Sequence, residues 1–227
     1  MIADRQLIME FEHRTSQSGE DFLVADCNNE AIDWIDTWPN WPAPALVIVG
    51  AAGAGKSHLA AVFAAHSGAQ FTNANEFNSI ASDVANDLII EDVDRILSPE
   101  LEQPLLHVYN AVKEASHRIL MTAATPPARW GITLPDLRSR MNAAISVEIG
   151  PPQDTLITAL LVKMFADRQV QVSSDVITYA ASRMERSFLA ARQIVDHADR
   201  LALATKKKIT VPLIKQVLEN LENTGDT

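Results

Sequence analysis

The sequence has 227 residues, 47% of them hydrophobic, which is enough for one large domain or two smaller domains with a buried core. The formal net charge of −10 argues against non-specific binding to duplex DNA, because neutralising phosphates needs a concentrated basic face. The single cysteine, Cys27, excludes an internal disulfide and a cysteine-cluster metal site. We expect a cytoplasmic protein without a secretion signal or a membrane span.

The first 20 residues are mostly polar and predict a flexible N-terminal segment and linker. Their exception is the run Gln6-Leu7-Ile8-Met9-Glu10-Phe11. In an extended conformation, Leu7, Met9 and Phe11 could enter an apolar cleft of a partner, while Gln6 forms hydrogen bonds in a small polar pocket. A pattern this short also arises by chance, so a hydrophobic arm packed on this chain's own domain is the alternative.

The run Gly50-Ala51-Ala52-Gly53-Ala54-Gly55-Lys56-Ser57 fits the P-loop pattern G-x-x-x-x-G-K-[ST]. Residues 45–49 predict a buried strand before it, and residues 58–65 predict a helix after it. The glycines allow backbone N–H groups to face phosphate oxygens, Lys56 would reach the β- and γ-phosphates, and Ser57 would ligate Mg²⁺. The candidate residues for nucleotide binding in this run and just after it are Gly50, Gly53, Ala54, Gly55, Lys56, Ser57 and His58.

Further strands and helices alternate after the P-loop. Strands are predicted at 70–72, 88–92, 118–122 and 144–148, and helices at 75–81, 99–115 and 134–141. This alternation predicts a parallel sheet with helices on both faces and a ligand site at the carboxyl ends of the strands. After Pro152 only helical patterns occur, so we expect an α/β domain over residues 21–151 and a small α-helical domain over residues 152–227.

Four polar side chains follow or lie near the predicted strand ends. Glu91 and Asp92 end a strand in the manner of a Walker B motif, in which the first acid holds the Mg²⁺ shell and the second polarises the attacking water. Glu91 stands where Asp is usual, which alters the Mg²⁺ geometry. Thr122 ends the next strand and is a candidate γ-phosphate sensor. Arg140, in the stretch Leu137-Arg138-Ser139-Arg140, is either a surface arginine or an arginine finger for a neighbouring molecule's nucleotide.

Together these motifs resemble the DnaA/Hda family of AAA+ proteins, with the Hda branch as the nearer match. The resemblance covers almost the whole chain and implies an α/β P-loop AAA+ domain followed by a helical lid domain, which binds ADP or ATP, with Mg²⁺ as a candidate. It implies that Arg140 acts in trans as the arginine finger on DnaA and that Asp92 has at most a weak role in cis. Residues 6–11 look like a peptide that binds the DNA polymerase III sliding clamp. A homodimer is a further candidate assembly, whereas specific DNA binding and membrane binding are not expected.

Several departures from the family pattern favour a regulator with slow ATP turnover. Glu91 replaces the usual Asp, Ala124 stands where DnaA has an Asp, and Leu189 aligns with the sensor 2 arginine, with Arg186 and Arg192 three residues to either side. The acidic chain ends after the lid, which favours a regulator over an initiator with a DNA-binding domain. Two alternatives stay open, namely an autonomous AAA+ ATPase such as a helicase loader, and a DnaA-like initiator paralogue.

Overall fold

The computed structural model describes residues 13–15 and 21–225, and this part of the chain separates into two compact units. Residues 26–150 belong to the first unit and residues 151–225 to the second, so the division falls between Gly150 and Pro151. Two short strands, β1 (His13–Thr15) and β2 (Asp21–Leu23), form a sheet of their own. Within the described ranges, no helix is both long and apolar enough to cross a membrane.

The first unit alternates strands and helices along the chain. It contains α1 (Asn29–Asp36), β3 (Ala45–Gly50), α2 (Lys56–Ser67), β4 (Gln70–Thr72), a 3-10 turn (Ala74–Glu76), α3 (Phe77–Ile80), β5 (Leu88–Ile90), α4 (Val93–Ile96), α5 (Pro99–Glu114), β6 (Ile119–Ala123), a second 3-10 turn (Pro127–Arg129), α6 (Pro135–Asn142) and β7 (Ile145–Ile149).

The strands β3 to β7 form one five-stranded sheet in the order β4-β5-β6-β3-β7, and every neighbouring pair is parallel. All six residues of β3 are buried, as expected for the central region of a sheet covered on both faces. This arrangement confirms the predicted α/β fold class. The strand predicted to reach Asp92 ends at Ile90, because Asp92 adopts a left-handed conformation (φ 50°) and begins α4.

Helix α2 is fixed at both ends and along one side. It begins directly after Gly55 and ends at Gly68, whose positive φ of 75° lets its N–H bond to the carbonyl of Ala64. Phe63 is fully buried on this helix, and the ring of Trp41 stacks on it at a centroid distance of 5.3 Å. This packing holds α2, the helix that follows the P-loop, in the core of the first unit.

Helices α5 and α6 belong to the same hydrophobic cluster as the sheet strands β3, β5 and β6. Leu105, Val108 and Val112 contribute from α5, and Leu137 and Met141 contribute from α6. All five side chains are fully buried. The two helices are therefore held side by side by apolar burial, which is the dominant favourable term in folding.

The second unit is helical and contains α7 (Asp154–Asp167), α8 (Ser174–Arg183), α9 (Phe188–Thr205) and α10 (Val211–Gly225). Apolar side chains at helical spacing are buried on two of these helices: Leu156 and Leu160 on α7, and Ala191, Val195 and Ala198 on α9. The side-chain oxygen of Ser187 accepts a hydrogen bond from the N–H of Ala190 at 3.0 Å, which fixes the start of α9. The prediction that a helical domain follows the α/β domain is thus confirmed.

Candidate functional site

The P-loop lies between β3 and α2 with the geometry that phosphate binding needs. Gly55 has a φ of 95°, which residues with a Cβ rarely adopt. A Cβ on Gly50 would come within 3.1 Å of the carbonyl oxygen of Ile149 and 3.2 Å of the Cβ of Ala54. The backbone conformation therefore favours glycine at position 55, and the close approach of Ile149 and Ala54 favours it at position 50. The loop leads directly into the N-terminus of a 12-residue helix, whose dipole favours anions.

Lys56 and Ser57 stand at the start of α2 in different environments. Lys56 is only 8% exposed, and its Nζ donates hydrogen bonds to the carbonyl oxygens of Gly50 (2.8 Å) and Ala51 (3.0 Å). Burial lowers the pKa of Lys56, although the nearby carboxylate of Asp92 acts in the opposite direction. Ser57 is exposed, so its hydroxyl is accessible to a ligand. Both residues stand where the sequence predicts phosphate and Mg²⁺ contacts.

The two Walker B acids follow β5, at the carboxyl edge of the sheet. The Oε1 atom of Glu91 is buried and has no hydrogen-bond partner among the described residues. The carboxylate of Asp92 is about half exposed, and its Oδ2 lies 3.8 Å from a guanidinium nitrogen of Arg95. A buried carboxylate oxygen without a donor is costly unless a ligand satisfies it. Glu91 is therefore available for a cation or for a water molecule in its shell.

Thr122 connects the end of β6 to the Walker B segment. It is 1% exposed, and its hydroxyl oxygen accepts a hydrogen bond from the backbone N–H of Asp92 at 3.0 Å. The sequence places Thr122 at the ligand edge as a phosphate sensor, and the structure places it beside the second Walker B acid. This bond fixes the backbone from which the Asp92 side chain projects.

Asp94 also lies at the carboxyl edge of the sheet, although the sequence patterns did not indicate it as a site residue. Its Oδ2 accepts hydrogen bonds from the N–H groups of Ala124 and Thr125, both at 2.9 Å, and from the hydroxyl of Thr125 at 3.0 Å. Its Oδ1 is buried without a partner in the part of the chain that the structure describes. The sequence feature that could have indicated Asp94 is its position two residues after Asp92, opposite the end of the neighbouring strand β6. Asp94 holds the chain after β6 against α4.

These residues fit a nucleotide phosphate chain with a magnesium ion. Over residues 13–15 and 21–225 the structure contains no group of three or more His, Cys, Asp or Glu side chains that could hold a metal. Mg²⁺ in phosphate sites is usually bound by one or two protein oxygens together with phosphate oxygens and waters. The hydroxyl of Ser57 and the unpaired oxygen of Glu91 are suitable donors of this kind. Protein oxygens, phosphate oxygens and waters would together supply the ligands of the Mg²⁺ ion.

Arg140 lies on α6 in the first unit, where it is partly buried. The carbon at the centre of its guanidinium lies 5.5 Å from the ring centroid of Tyr109, and its Nε is buried without a hydrogen-bond partner. Arg138, on the same helix, is exposed. Asp136 stands one helical turn before Arg140, a spacing at which side chains on a helix are neighbours, but the contact that the structure shows for Arg140 is with Tyr109 on α5.

The lid arginines considered for a sensor 2 role lie at the start of α9. Arg186 precedes the capping residue Ser187, and its Nε and a terminal nitrogen bond to the two carboxylate oxygens of Asp154 at 2.7 and 3.0 Å. Leu189 is 47% exposed in the first turn of this helix, and Arg192 is also exposed. The residues predicted to bind a sliding clamp, Gln6, Leu7, Met9 and Phe11, lie outside the described ranges.

Comparison with known proteins finds a family match in the second unit and similar folds among solved structures. Residues 154–218 match the family model of the Hda lid domain. Domain III of the Thermotoga maritima replication initiation protein DnaA superposes on 88% of this chain and 94% of its own, with a TM-score of 0.75 at 16% identity. AMPPCP-bound DnaA from Aquifex aeolicus superposes on 89% of this chain and 68% of its own (TM-score 0.68, 14% identity). The Thermotoga maritima RuvB Holliday junction branch migration motor superposes on 78% of this chain and 62% of its own (TM-score 0.63, 16% identity). The chain thus spans about two thirds of the Aquifex aeolicus protein.

Proposed function

Because the chain is an Hda/DnaA-related AAA+ protein, we propose that it is a negative regulator of DNA replication initiation. In this proposal the protein holds an adenine nucleotide, ADP, at its own P-loop and docks on the DNA-loaded sliding clamp through residues 6–11. It then supplies Arg140 to ATP bound by DnaA. DnaA hydrolyses this ATP and loses its initiation activity.

The observation that carries the proposal is the Hda lid-domain match over residues 154–218. P-loop domains with a parallel sheet serve many unrelated activities, so the α/β unit alone does not select one of them. A lid of the Hda type narrows the choice to DnaA-related proteins. The net charge of −10 also favours a protein that reaches its target through another protein over one that binds DNA directly.

Nucleotide binding is supported by the P-loop geometry. Lys56, Ser57 and the glycines lie between β3 and α2, and the charge of Glu91 acts on Lys56. DnaA from Aquifex aeolicus, which has the same fold, is described as bound to AMPPCP, an ATP analogue. When bound, a nucleotide would supply the phosphate charge that Lys56 and the N-terminus of α2 attract.

The role of Arg140 is supported by its chemistry and its position. An arginine carries a planar, permanent charge that matches phosphate oxygens, and a finger supplied in trans can accelerate hydrolysis by several orders of magnitude. Arg140 belongs to the short helix α6, and its Nε has no hydrogen-bond partner among the described residues. Because Nε is buried, contact with a neighbouring nucleotide would be made by the terminal guanidinium nitrogens of this partly exposed side chain.

The proposal is tested by following labelled ATP bound to DnaA in the presence of DNA-loaded clamp and ADP. The wild-type protein should stimulate hydrolysis, and Arg140→Ala should abolish the stimulation while ADP binding and clamp binding persist. Arg138→Ala is the matched control, because it removes the same charge from the same helix at an exposed position. Equal stimulation by Arg140→Ala and the wild type would show that Arg140 is not the finger. No stimulation by the wild type would refute the function itself.

An autonomous motor or loader ATPase is the second candidate, since the Thermotoga maritima RuvB branch migration motor shares the fold over 78% of this chain. The regulator and the motor differ in how fast the purified protein, without any partner, should hydrolyse ATP. A regulator should hydrolyse ATP slowly because Glu91 and Leu189 depart from the usual contacts. A turnover near typical enzyme values, on the order of ten per second, would favour the motor.

A further inference from the structure

Helix α5 contacts α6 at two places that bear on the position of Arg140. Towards the C-terminal half of α5, the ring of Tyr109 lies under the Arg140 guanidinium, 5.5 Å from centroid to central carbon. Tyr109 is 4% exposed, so its ring is fixed by the surrounding core. A flexible arginine side chain thus lies over a rigid aromatic surface.

The second contact holds the beginning of α6. Glu102, 5% exposed in the first turns of α5, accepts hydrogen bonds from the N–H and hydroxyl of Thr133, both at 2.8 Å, and from the N–H of Leu134 at 2.6 Å. Leu134 is the residue directly before α6. Three donors on one buried carboxylate fix the backbone at the entry to the helix that carries Arg140.

We propose that α5 is a positioning element for Arg140, in which Tyr109 orients the guanidinium and Glu102 fixes the start of its helix. The inference rests on the proposed function, in which Arg140 acts in trans on ATP held by DnaA. Tyr109 and Glu102 are positioning residues, because they touch Arg140 or its helix and not the reacting phosphate. The sequence offers no hint of this pairing, since Tyr109 and Arg140 are 31 positions apart by their numbers.

A positioned finger has a kinetic signature. Without the Tyr109 ring, the guanidinium samples more rotamers, so a smaller fraction of complexes has it aligned with the phosphate. The surface that docks on DnaA is unchanged. The maximal stimulated rate should therefore fall, while the protein concentration for half-maximal stimulation stays nearly constant.

The main test compares Tyr109→Leu, Tyr109→Phe and the wild type in the DnaA hydrolysis assay. Tyr109→Leu removes the ring and should lower the maximal rate by roughly tenfold or more, with a half-maximal concentration within about twofold of wild type. Tyr109→Phe keeps the ring and should restore most of the rate. Tyr179→Leu is the matched control, since Tyr179 makes the same kind of contact with Arg183 at 5.6 Å within the helical unit.

The outcomes separate this inference from the proposed function. If the wild type stimulates hydrolysis and Tyr109→Leu does so equally well, the positioning role is refuted and the proposed function stands. If Tyr109→Phe is as poor as Tyr109→Leu, the ring is not the determinant, and the inference is again refuted. If the wild type gives no stimulation, the proposed function fails, and the contact itself is judged by the titration described next.

A spectrophotometric titration tests the contact without DnaA and without a destabilising variant. Burial raises the pKa of the Tyr109 phenol, and the positive charge of Arg140 lowers it in part. The chain has two tyrosines, so Tyr179→Phe leaves Tyr109 as the only phenol that titrates. Arg140→Ala in this background should raise the Tyr109 pKa further, whereas Arg138→Ala should not. An unchanged pKa in the Arg140→Ala protein would show that the two side chains are not in contact and would overturn the inference.

Discussion

The hydroxyl oxygen of Thr122, near the end of β6, accepts a hydrogen bond from the backbone N–H of Asp92, two residues after the end of β5, at 3.0 Å. The parallel register sets Ile90 beside Met121, so the next residues of both strands meet at the same edge. Asp92 has a φ of 50°, a left-handed conformation that Asp tolerates better than most residues. The bond from Thr122 stabilises this turn and thereby the position of the second Walker B acid.

Replacing Thr122 by Val removes this acceptor and leaves the N–H of Asp92 without its partner. We expect the free energy of unfolding of the α/β unit to fall by about 1–2 kcal/mol, the usual cost of such a loss. Thr122→Ser keeps the hydroxyl and is the control. Urea unfolding followed by tryptophan fluorescence reports on this unit alone, because all four tryptophans lie within residues 26–150. If Thr122→Val is as stable as the wild type, the hydrogen bond to Asp92 does not contribute to stability.

Lys56→Ala should weaken ADP binding by at least tenfold, because it removes the one cation that the P-loop aims at the β-phosphate. The Lys56 ammonium donates hydrogen bonds to the carbonyl oxygens of Gly50 and Ala51, so it is held at the loop. Lys113→Ala, an exposed lysine on α5, removes the same charge at a different place. Isothermal titration calorimetry measures the affinity of both variants for ADP. If Lys56→Ala binds ADP as tightly as the wild type, the P-loop is not the ADP site.

The strands and the P-loop were predictable from the sequence for a clear reason. A buried parallel strand is a short continuous apolar run, and residues 45–49, 88–90 and 119–121 are such runs. The glycine spacing of the P-loop is imposed by local backbone geometry, so it is visible without tertiary information. The boundaries shifted by one or two residues where a turn intervened, as at Asp92.

The contacts around Arg140 and the sheet edge could not be predicted in this way. Local spacing suggested Asp136 as the partner of Arg140, because residues four apart on a helix are neighbours. The partner in the structure is Tyr109, on a different helix, and this pairing depends on how α5 and α6 pack. The roles of Asp94 and Glu102 likewise arise only when separate segments come together. Sequence patterns report local constraints and do not report such long-range contacts.

The proposed clamp-binding segment gives a prediction that the described structure does not cover. Replacing Leu7, Met9 and Phe11 together by Ala should reduce clamp binding at least a hundredfold, since each fully buried apolar side chain contributes roughly 1.5–3 kcal/mol. In an extended segment Ile8 faces the opposite side, so Ile8→Ala is the control and should have little effect. Surface plasmon resonance with immobilised clamp measures both. If the triple variant still binds, residues 6–11 are not the docking segment.

The last prediction concerns the pH dependence that Glu102 confers. Desolvation raises the pKa of this carboxyl, but the hydrogen bonds from Thr133 and Leu134 outweigh it, so the net pKa lies below the ordinary value of 4.5. A carboxyl with a depressed pKa in the folded state stabilises the protein above its unfolded pKa, and this contribution is lost as the pH falls through the folded pKa. Glu102 should therefore make its full contribution to the free energy of unfolding at neutral pH and a progressively smaller one below about pH 4.

Glu102→Gln removes the charge but keeps one acceptor, so we expect a loss of about 1–2 kcal/mol at pH 7, with allowance for solvent screening. The difference in the free energy of unfolding between Glu102→Gln and the wild type should shrink as the pH falls below 4.5, the ordinary pKa of a Glu carboxyl. Glu102 is then protonated and resembles the Gln amide. Glu114→Gln, at the exposed end of the same helix, makes the same charge change and should alter stability far less. Urea unfolding by tryptophan fluorescence between pH 7 and pH 3 measures all three proteins. A Glu102→Gln deficit that stays constant over this range would mean that the charge of Glu102 does not hold the loop before α6.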